Sequence, residues 1–395
     1  MVKNMLRILA TGVKIEDNFG GPSILHGLKE VLDGAYGDKY ELIYCQLTPY
    51  DTVSASDFDF TLKSISFGKA QIGLKFFTDK DMSELKSFIK SSDMVVDLTG
   101  ICFSDNFSRY HEGFIRSYIS VLYQFRVIFL AKLYRKKIVK NTCSFGPMKI
   151  NSNIRKARFA CNYLFNTLSA REEKSRDALL HDAKIRKEIL LSPDIANVMP
   201  FFRMSDNDTK IVGISTSHQI IRQWGSKEGY IECMVNLCSH IAQKYHMPIL
   251  LIPNEVQKLS DFNDISVSEE IQTKLNCDGV NVEIADSARM SSTELKNLIA
   301  SCEVMVASRY HSCVASLSSG VPVLVVGWHY KYEELLHWYG QDQWILSNHD
   351  CTSDKLIAMF DAFWKQRNIS KEIITENYPK VRKAVFDVGK ILFSK

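Results

Sequence analysis

The chain has 395 residues, with 49 Lys and Arg against 45 Asp and Glu, a formal net charge of +4 and 46% hydrophobic residues. That length suits two domains of similar size, each burying its own core. The balanced charge and the lack of an interleaved aromatic and basic tract exclude a nucleic-acid partner, and no run of about 18 apolar residues exists to span a membrane. The N-terminal apolar run is broken by Arg7, so it does not read as a signal peptide. Ten cysteines without a CxxC pair read as reduced, mostly buried thiols of a cytoplasmic protein, Cys161, Cys233 and Cys313 among them, and no structural zinc site is expected.

Strand and helix alternate from the start. "MLRILATG" predicts a first strand, followed by a glycine-containing turn and helix in "NFGGPSILHGLKEVL". "YELIYCQL" and "DMVVDLTG" are further strands, with a helix in "DKDMSELKSFIKSS" between them. Residues 113 to about 135 predict one long helix. The basic, apolar segment 115 to 140 reads as a core helix with cations at its C-terminal end, with membrane contact as the alternative. "KKIVKNTCSFGP" is a strand stopped by Gly146 and Pro147, and a helix covers about 152 to 163. "NTLSAREEKSRDALL" is a short strand followed by a helix.

The polar stretch "FFRMSDNDTK", 201 to 210, reads as a linker between a first domain over 1–200 and a second over 211–370, with C-terminal helices over 371–395. The second half resumes the alternation. Its strands are "IVGISTS", "MPILLIPN", "VNVEIAD", "EVMVASR" and "VPVLVVGW", with helices over 226 to 245 and about 256 to 275. Ser292 is the expected N-cap of the helix in "SSTELKNLIASC", and another helix starts at about Ser312 and ends at Gly320. Such alternation predicts an α/β fold of two doubly wound, Rossmann-like domains, facing across a cleft, with ligands outside the carboxyl ends of the strands.

Those strand ends carry polar groups that packing does not demand. Asn18, Gly20 and Gly21 precede the first helix and could free backbone N–H groups for an anion, although the spacing is not GxGxxG. Asp105, with Asn106 beside it and His111 beyond, follows Asp97-Leu98-Thr99-Gly100 and is a candidate base for a hydroxyl. Arg171 follows a strand and either points into the cleft or pairs with Glu172 or Glu173. Asp194 reads as a turn cap. Ser215, Ser217, His218 and Arg222 follow another strand and suit a phosphate or carboxylate, while Asn254 and Glu255 end the next. In "VMVASRYHSC" alternation places Arg309 and His311 on one face, just before a helix at Ser312. A guanidinium, an imidazole and a helix N-terminus together form an anion site with a group that changes protonation near neutral pH.

The segment "ELKNLIASCEVMVASRYHSCVASLSSGVPVLVVGWHYKYEELL", 294 to 336, resembles the polysaccharide pyruvyl transferase family. Weaker matches follow in order: "NFGGPSILHGL", "DMVVDLTG", "CSFGP", "LSAREEKS", "LSPDIA", "VGIS" and "LLIPNE", so the resemblance covers about 10 to 340. It implies a GT-B-like fold, no metal, and transfer of pyruvate from phosphoenolpyruvate onto two hydroxyls of one sugar to form a ketal. By motif position Arg309 and His311 are the family's Arg-x-His, and Arg171 belongs to its Ser-x-Arg motif. Donor contacts are then expected from Arg309, Arg171, Ser312, Ser217 and Arg222, with His311 as acid and Asp105 as base. Asn18, Gly20, Gly21, Asn106 and Glu255 fall on the acceptor side. A lipid-linked acceptor would bring the chain to the cytoplasmic membrane face. The rival reading is a GT-B glycosyltransferase using a nucleotide sugar, for which only Glu255 or Glu333 could hold a ribose.

Overall fold

Apolar β-branched runs such as "RILA", "MVVD" and "VMVA" are too uniformly hydrophobic for a half-solvated sheet and read as strands covered on both faces. The computed structural model of the chain describes residues 5–47, 55–64, 81–107, 113–202, 210–256 and 263–394, and in it these runs form two parallel sheets. His111 and residues 203–209 of the expected linker lie outside the described residues.

The chain divides into two compact units. The first gathers Met1–Lys14, Ile24–Ile195 and Ala384–Lys395. The second gathers Ile15–Ser23 and Ala196–Lys383. A single linker therefore does not separate them, because the chain passes between units near residues 15 and 23 and again near 384.

The first unit holds β1 (Leu6–Thr11), α1 (Gly20–Tyr36, from Ile24 on), β2 (Tyr40–Gln46), β3 (Thr61–Ser64), α2 (Asp81–Ser91), β4 (Met94–Asp97) and β5 (Ile101–Cys102). It continues with α3 (Phe114–Gln124), α4 (Arg126–Leu133), β6 (Lys137–Phe145), α5 (Asn151–Phe159), β7 (Thr167–Ala170), α6 (Glu173–Asp177) and β8 (Leu190–Leu191). The sheet order is β3-β2-β1-β4-β6-β7-β8, with β5 paired to β6. Leu9, Val95, Ile138 and Leu168 are buried in its core, each contributing roughly 1.5–3 kcal/mol.

The expected long helix over 113–135 is two helices, α3 and α4, bent by 83°. The break falls at Phe125, which leaves helical geometry (φ −105°, ψ 33°). Its ring is buried against Phe103 (5.8 Å) and Phe165 (5.5 Å). Anchoring that ring outweighs continuing the helix.

The second unit holds β9 (Val212–Ser215), α7 (His218–Trp224), α8 (Lys227–Tyr245), β10 (Ile249–Leu251), α9 (Asp264–Cys277), β11 (Glu283–Ile284) and α10 (Ser292–Ala300). Then come β12 (Val304–Ala307), α11 (Tyr310–Ser318), β13 (Val323–Gly327), α12 (Lys331–Trp338), β14 (Ile345–Ser347) and α13 (Ser353–Leu392, up to Lys383). Its sheet order is β11-β10-β9-β12-β13-β14. The N-cap of α10 is Ser291, not Ser292, in a capping box with Glu294. α11 starts at Tyr310 rather than Ser312, with Arg309 at the N-cap. The expected C-terminal helices are one helix, α13. Buried Leu356, Phe360, Phe363, Ile374, Val381 and Val385 keep a helical spacing through it, and Pro379 removes one donor without ending it. All ten cysteines are free thiols, and all but Cys277 are buried.

Candidate functional site

Strand order reverses between β9 and β12, since β10 lies on one side of the pair and β13 on the other. The loops leaving β9, β10 and β12 diverge there, which opens a crevice in doubly wound sheets. A cavity of about 180 Å³ occupies it. Ser217 and Gln219 line it after β9, Asn254 and Glu255 after β10, and Arg309, Tyr310 and His311 after β12. Asn18 and Gly20 join them, with Trp328, Lys331 and Tyr332 around the start of α12. All of these belong to the second unit.

The centre of the arrangement is Asp264, the first residue of α9, fully buried behind the cavity wall. Its Oδ2 accepts from Arg309 Nε (2.7 Å), Glu255 N (2.8 Å) and Asn254 N (3.3 Å). Its Oδ1 accepts from Arg309 Nη2 (2.5 Å) and His218 N (2.8 Å), and lies 2.9 Å from His218 Nδ1. His218 Nδ1 also lies 2.8 Å from Arg309 Nη2, and its Nε2 lies 2.9 Å from Gln219 Nε2. Burial pushes the Asp264 carboxyl up, but the Arg309 guanidinium and the hydrogen bonds from His218 and Arg309 outweigh it and bring the group down to about 2. Burial likewise opposes the charge on Arg309, and Asp264 and Glu255 more than offset it, so its pKa is raised.

Arg309 is therefore already paired. Nε and Nη2 face Asp264, and Nη1 lies 2.7 Å from Glu255 Oε2. Arg309, expected to meet an anion together with His311 and a helix N-terminus, is clamped by two carboxylates and keeps one edge on the cavity that His311 also lines. The clamp joins three strand-end loops, so it also sets their spacing.

His311 sits in the first turn of α11, its ring edge-on to Tyr310 with centroids 5.3 Å apart. A Cβ on Gly20 would collide with the imidazole at Nδ1 and Cε1, so this position is glycine for space. Asn18 Oδ1 accepts from Gly21 N (3.0 Å), capping α1, and Asn18 bridges to Glu255 as a short antiparallel pair. Lys331 brings a further cation, its Nζ 5.2 Å from the Tyr310 ring centroid, 5.0 Å from Trp328 and 5.5 Å from Tyr332.

Other expected residues have different surroundings. Ser312 is buried behind the wall, 2.7 Å from Ser215 Oγ and accepting from Asn254 Nδ2 (2.8 Å), so it positions Asn254 rather than lining the cavity. Ser217 does line it, and its side chain caps α7 through Ile220 N (3.4 Å). Arg222 is exposed at the end of α7, 3.5 Å from Gln219 Oε1, and does not line the cavity.

Arg171, Asp105 and Asn106 belong to the first unit. Arg171 is buried; Nε donates to Ser144 Oγ (2.7 Å) and Glu172 Oε1 (2.8 Å), and Nη1 pairs with Asp194. Asp194 is thus an ion-pair partner rather than a turn cap. Asp105 accepts from Lys149 N (2.6 Å), Ile150 N (3.1 Å) and Asn153 Nδ2 (2.7 Å), which makes it the carboxylate holding the start of α5 rather than an unengaged base. Asn106 is exposed and donates its N–H to Ser104 Oγ (3.3 Å). The first unit has its own cavity of about 210 Å³, lined by Thr11, Gln46, Asp97 and Thr99 at strand ends. Lys140, fully buried, donates to Asp97 Oδ1 and Thr99 O at 2.5 Å each.

Sequence reasoning missed Asp264, Gln219, Lys331, Trp328 and Tyr332. Asp264 looks like any acidic residue in a first helical turn, and Lys331 like any surface lysine. Asp264 has no local signal, because it acquires its meaning from residues 218 and 309, far away in the chain, whereas Lys331 follows the end of β13 by four residues, a strand-end position that would have flagged it.

No curated protein matches this chain in sequence. Solved structures match its fold. A UDP-GlcNAc 2-epimerase from Neisseria meningitidis, bound to UDP-GlcNAc, is 13% identical with a TM-score of 0.59 over 99% of this chain and 100% of that one. Anabaena HepE, in complex with UDP and glucose, is 10% identical with a TM-score of 0.58 over 98% and 97%. The sucrose-phosphate synthase of Thermosynechococcus elongatus is 11% identical at 0.58 over 98% and 96%. At such identity the likeness shows the fold alone, that of the GT-B enzymes. The sequence pattern of one family, described as polysaccharide pyruvyl transferase, matches residues 18–330. That span holds nearly every residue lining the second-unit cavity, and the chain belongs to the polysaccharide pyruvyl transferase family.

Proposed function

We propose that the chain transfers the pyruvyl group of phosphoenolpyruvate to two hydroxyls of one sugar, forming a ketal, in the cytoplasmic assembly of a surface polysaccharide. The observation that carries this reading is the company of His311, Arg309 and Lys331 around one cavity at the switch point, in a chain of this family. Phosphoenolpyruvate bears a carboxylate and a phosphate. Lys331, the open edge of Arg309 and the first turn of α11 are suited to them.

In the first step a sugar hydroxyl oxygen bonds to the central carbon of the enol while the methylene carbon takes a proton from His311 and becomes a methyl group. Glu255 replaces Asp105 as the group accepting the hydroxyl proton, since it is the carboxylate on the cavity. In the second step the other hydroxyl oxygen bonds to the same carbon, the bond from that carbon to the phosphate oxygen breaks, and the hydroxyl proton passes to the departing oxygen, which leaves as inorganic phosphate. The clamp of Asp264 on Arg309 keeps the cation fixed while these charges shift.

The test is thermal shift of the full chain with phosphoenolpyruvate, UDP-sugars and CMP-sugars, since a ligand that binds only the native state raises its stability. A rise with phosphoenolpyruvate alone is expected. A rise only with a nucleotide sugar overturns the reading in favour of glycosyl transfer.

A further inference from the structure

The helix α3 turns a greasy face outward. Phe114, Ile115, Ile119 and Tyr123 are 64%, 73%, 61% and 50% exposed, while Ser117 and Val121 on its other side are buried. Residues 115, 119 and 123 recur at helical spacing and form one stripe. An aromatic chain widens it. Phe114 stacks edge-on to Tyr118 (5.1 Å), Tyr118 to Phe159 of α5 (5.3 Å), and Phe159 lies 5.7 Å from the exposed Tyr163. Scattered exposed apolar residues need no explanation, but a contiguous face does.

The chain segment that carries it holds charge of one sign. Between Glu112 and Glu172 the sequence contains no Asp or Glu and twelve Lys and Arg, so the rest of the chain is net negative. Lys140 and Arg171 are buried in ion pairs of their own, and the other ten are at least partly exposed. Three flank the stripe directly: Arg155 lies 5.8 Å over the Phe114 ring, Arg126 4.7 Å over the Tyr123 ring, and Arg116 is exposed on α3 itself.

We propose that this face of α3 docks on a lipid bilayer bearing anionic headgroups, lying in the interface with its apolar stripe inserted and its arginines among the headgroups. An amphipathic helix with Arg on its flanks and Phe, Ile and Tyr on its face is the chemistry such a surface binds. It lies on the bilayer and does not cross it. At 1.5 Å per residue α3 spans about 16 Å, half of a hydrocarbon core of about 30 Å, and its inner side is committed to the first unit. A second copy presenting the same patch would set like charges against each other. The inference does not depend on pyruvyl transfer.

The test is flotation of the full chain with vesicles of phosphatidylcholine alone and of phosphatidylcholine with phosphatidylglycerol, at low and high salt. Binding to the anionic vesicles, weakened by salt, is expected. The double substitution Ile115→Asp with Ile119→Asp should abolish it without moving the melting temperature, because both residues are exposed. Arg116→Gln should lower partitioning about fivefold. Failure of the unaltered chain to float with anionic vesicles overturns the proposal, as does equal flotation of the double variant. A lipid-free dimer that Ile119→Asp dissolves, with no vesicle binding, overturns it in favour of a contact between copies. The thermal shift with phosphoenolpyruvate should be the same in all variants.

Discussion

Arg171 and Arg309 each follow a buried strand, and each faces two carboxylates. Around Arg171 everything is enclosed: the arginine is 4% exposed, and Glu172 and Asp194 1% each. Its partners join β6, the end of β7 and the turn at Asp194, so the group is a fastener inside the first unit. Arg309 has the same fork of charges but keeps one edge on a cavity shared with His311 and Lys331. The same residue type after a strand thus closes a core in one unit and borders a ligand space in the other. The difference lies in access rather than in charge.

The sharpest way to break that contrast is Arg171→Met. It leaves Glu172 and Asp194 buried without their cation, and breaking a buried pair costs roughly 3–5 kcal/mol. A large fall in the urea unfolding midpoint is expected. A loss below about 1 kcal/mol would mean that Arg171 is not a fastener.

His311→Gln should behave in the opposite way. The side chain is on the cavity rather than in the core, so the unfolding midpoint should stay within about 0.5 kcal/mol of the unaltered chain. Turnover of phosphoenolpyruvate at saturating donor should fall about 100- to 10,000-fold if His311 supplies the methylene proton. Near-normal turnover would reduce it to a donor contact.

Acid should loosen the Arg309 clamp. Asp264 titrates at about 2 in the folded chain, below its ordinary 3.8. A depressed carboxylate adds stability that is fully present above the unfolded value and is lost as pH falls through the folded one. The window runs from about pH 4 down to about pH 2, and the loss is about 2 kcal/mol. Asp264→Asn should be less stable at pH 6 and should show a flatter acid slope across that window, read as melting temperature against pH. An unchanged slope would show that other carboxylates carry the acid sensitivity.

Uniformly apolar runs such as "MVVD" and "VPVLVVGW" revealed the two parallel sheets, one in each, because strands covered on both faces have an unmistakable composition. Arg309, His311, Glu255 and Asn18 were legible because a strand end is where such a sheet opens. The bend at Phe125 was not legible, since one aromatic anchor overrode a helical pattern that runs through it. Nor was Asp264, whose six hydrogen-bonding contacts come from residues 218, 254, 255 and 309. Arg171 and Asp105 looked like cleft residues because spacing does not reveal whether a side chain's partners already enclose it.

Arg222 supplies the smallest expected effect. From its place after β9 it looked equal to Ser217 as a donor contact. In the fold α7 starts at His218, so Arg222 falls one turn along the helix and faces solvent, near Gln219 and away from the cavity lining. An exposed side chain with one long contact contributes within about 0.5 kcal/mol. Arg222→Ala should therefore leave both the unfolding midpoint and the KM for phosphoenolpyruvate unchanged, while Ser217→Ala removes the α7 cap and should cost about 1 kcal/mol. A severalfold rise in KM for Arg222→Ala would mean that α7 moves to bring this arginine to the donor, and the contrast between enclosed and cavity-facing arginines would then need a third class.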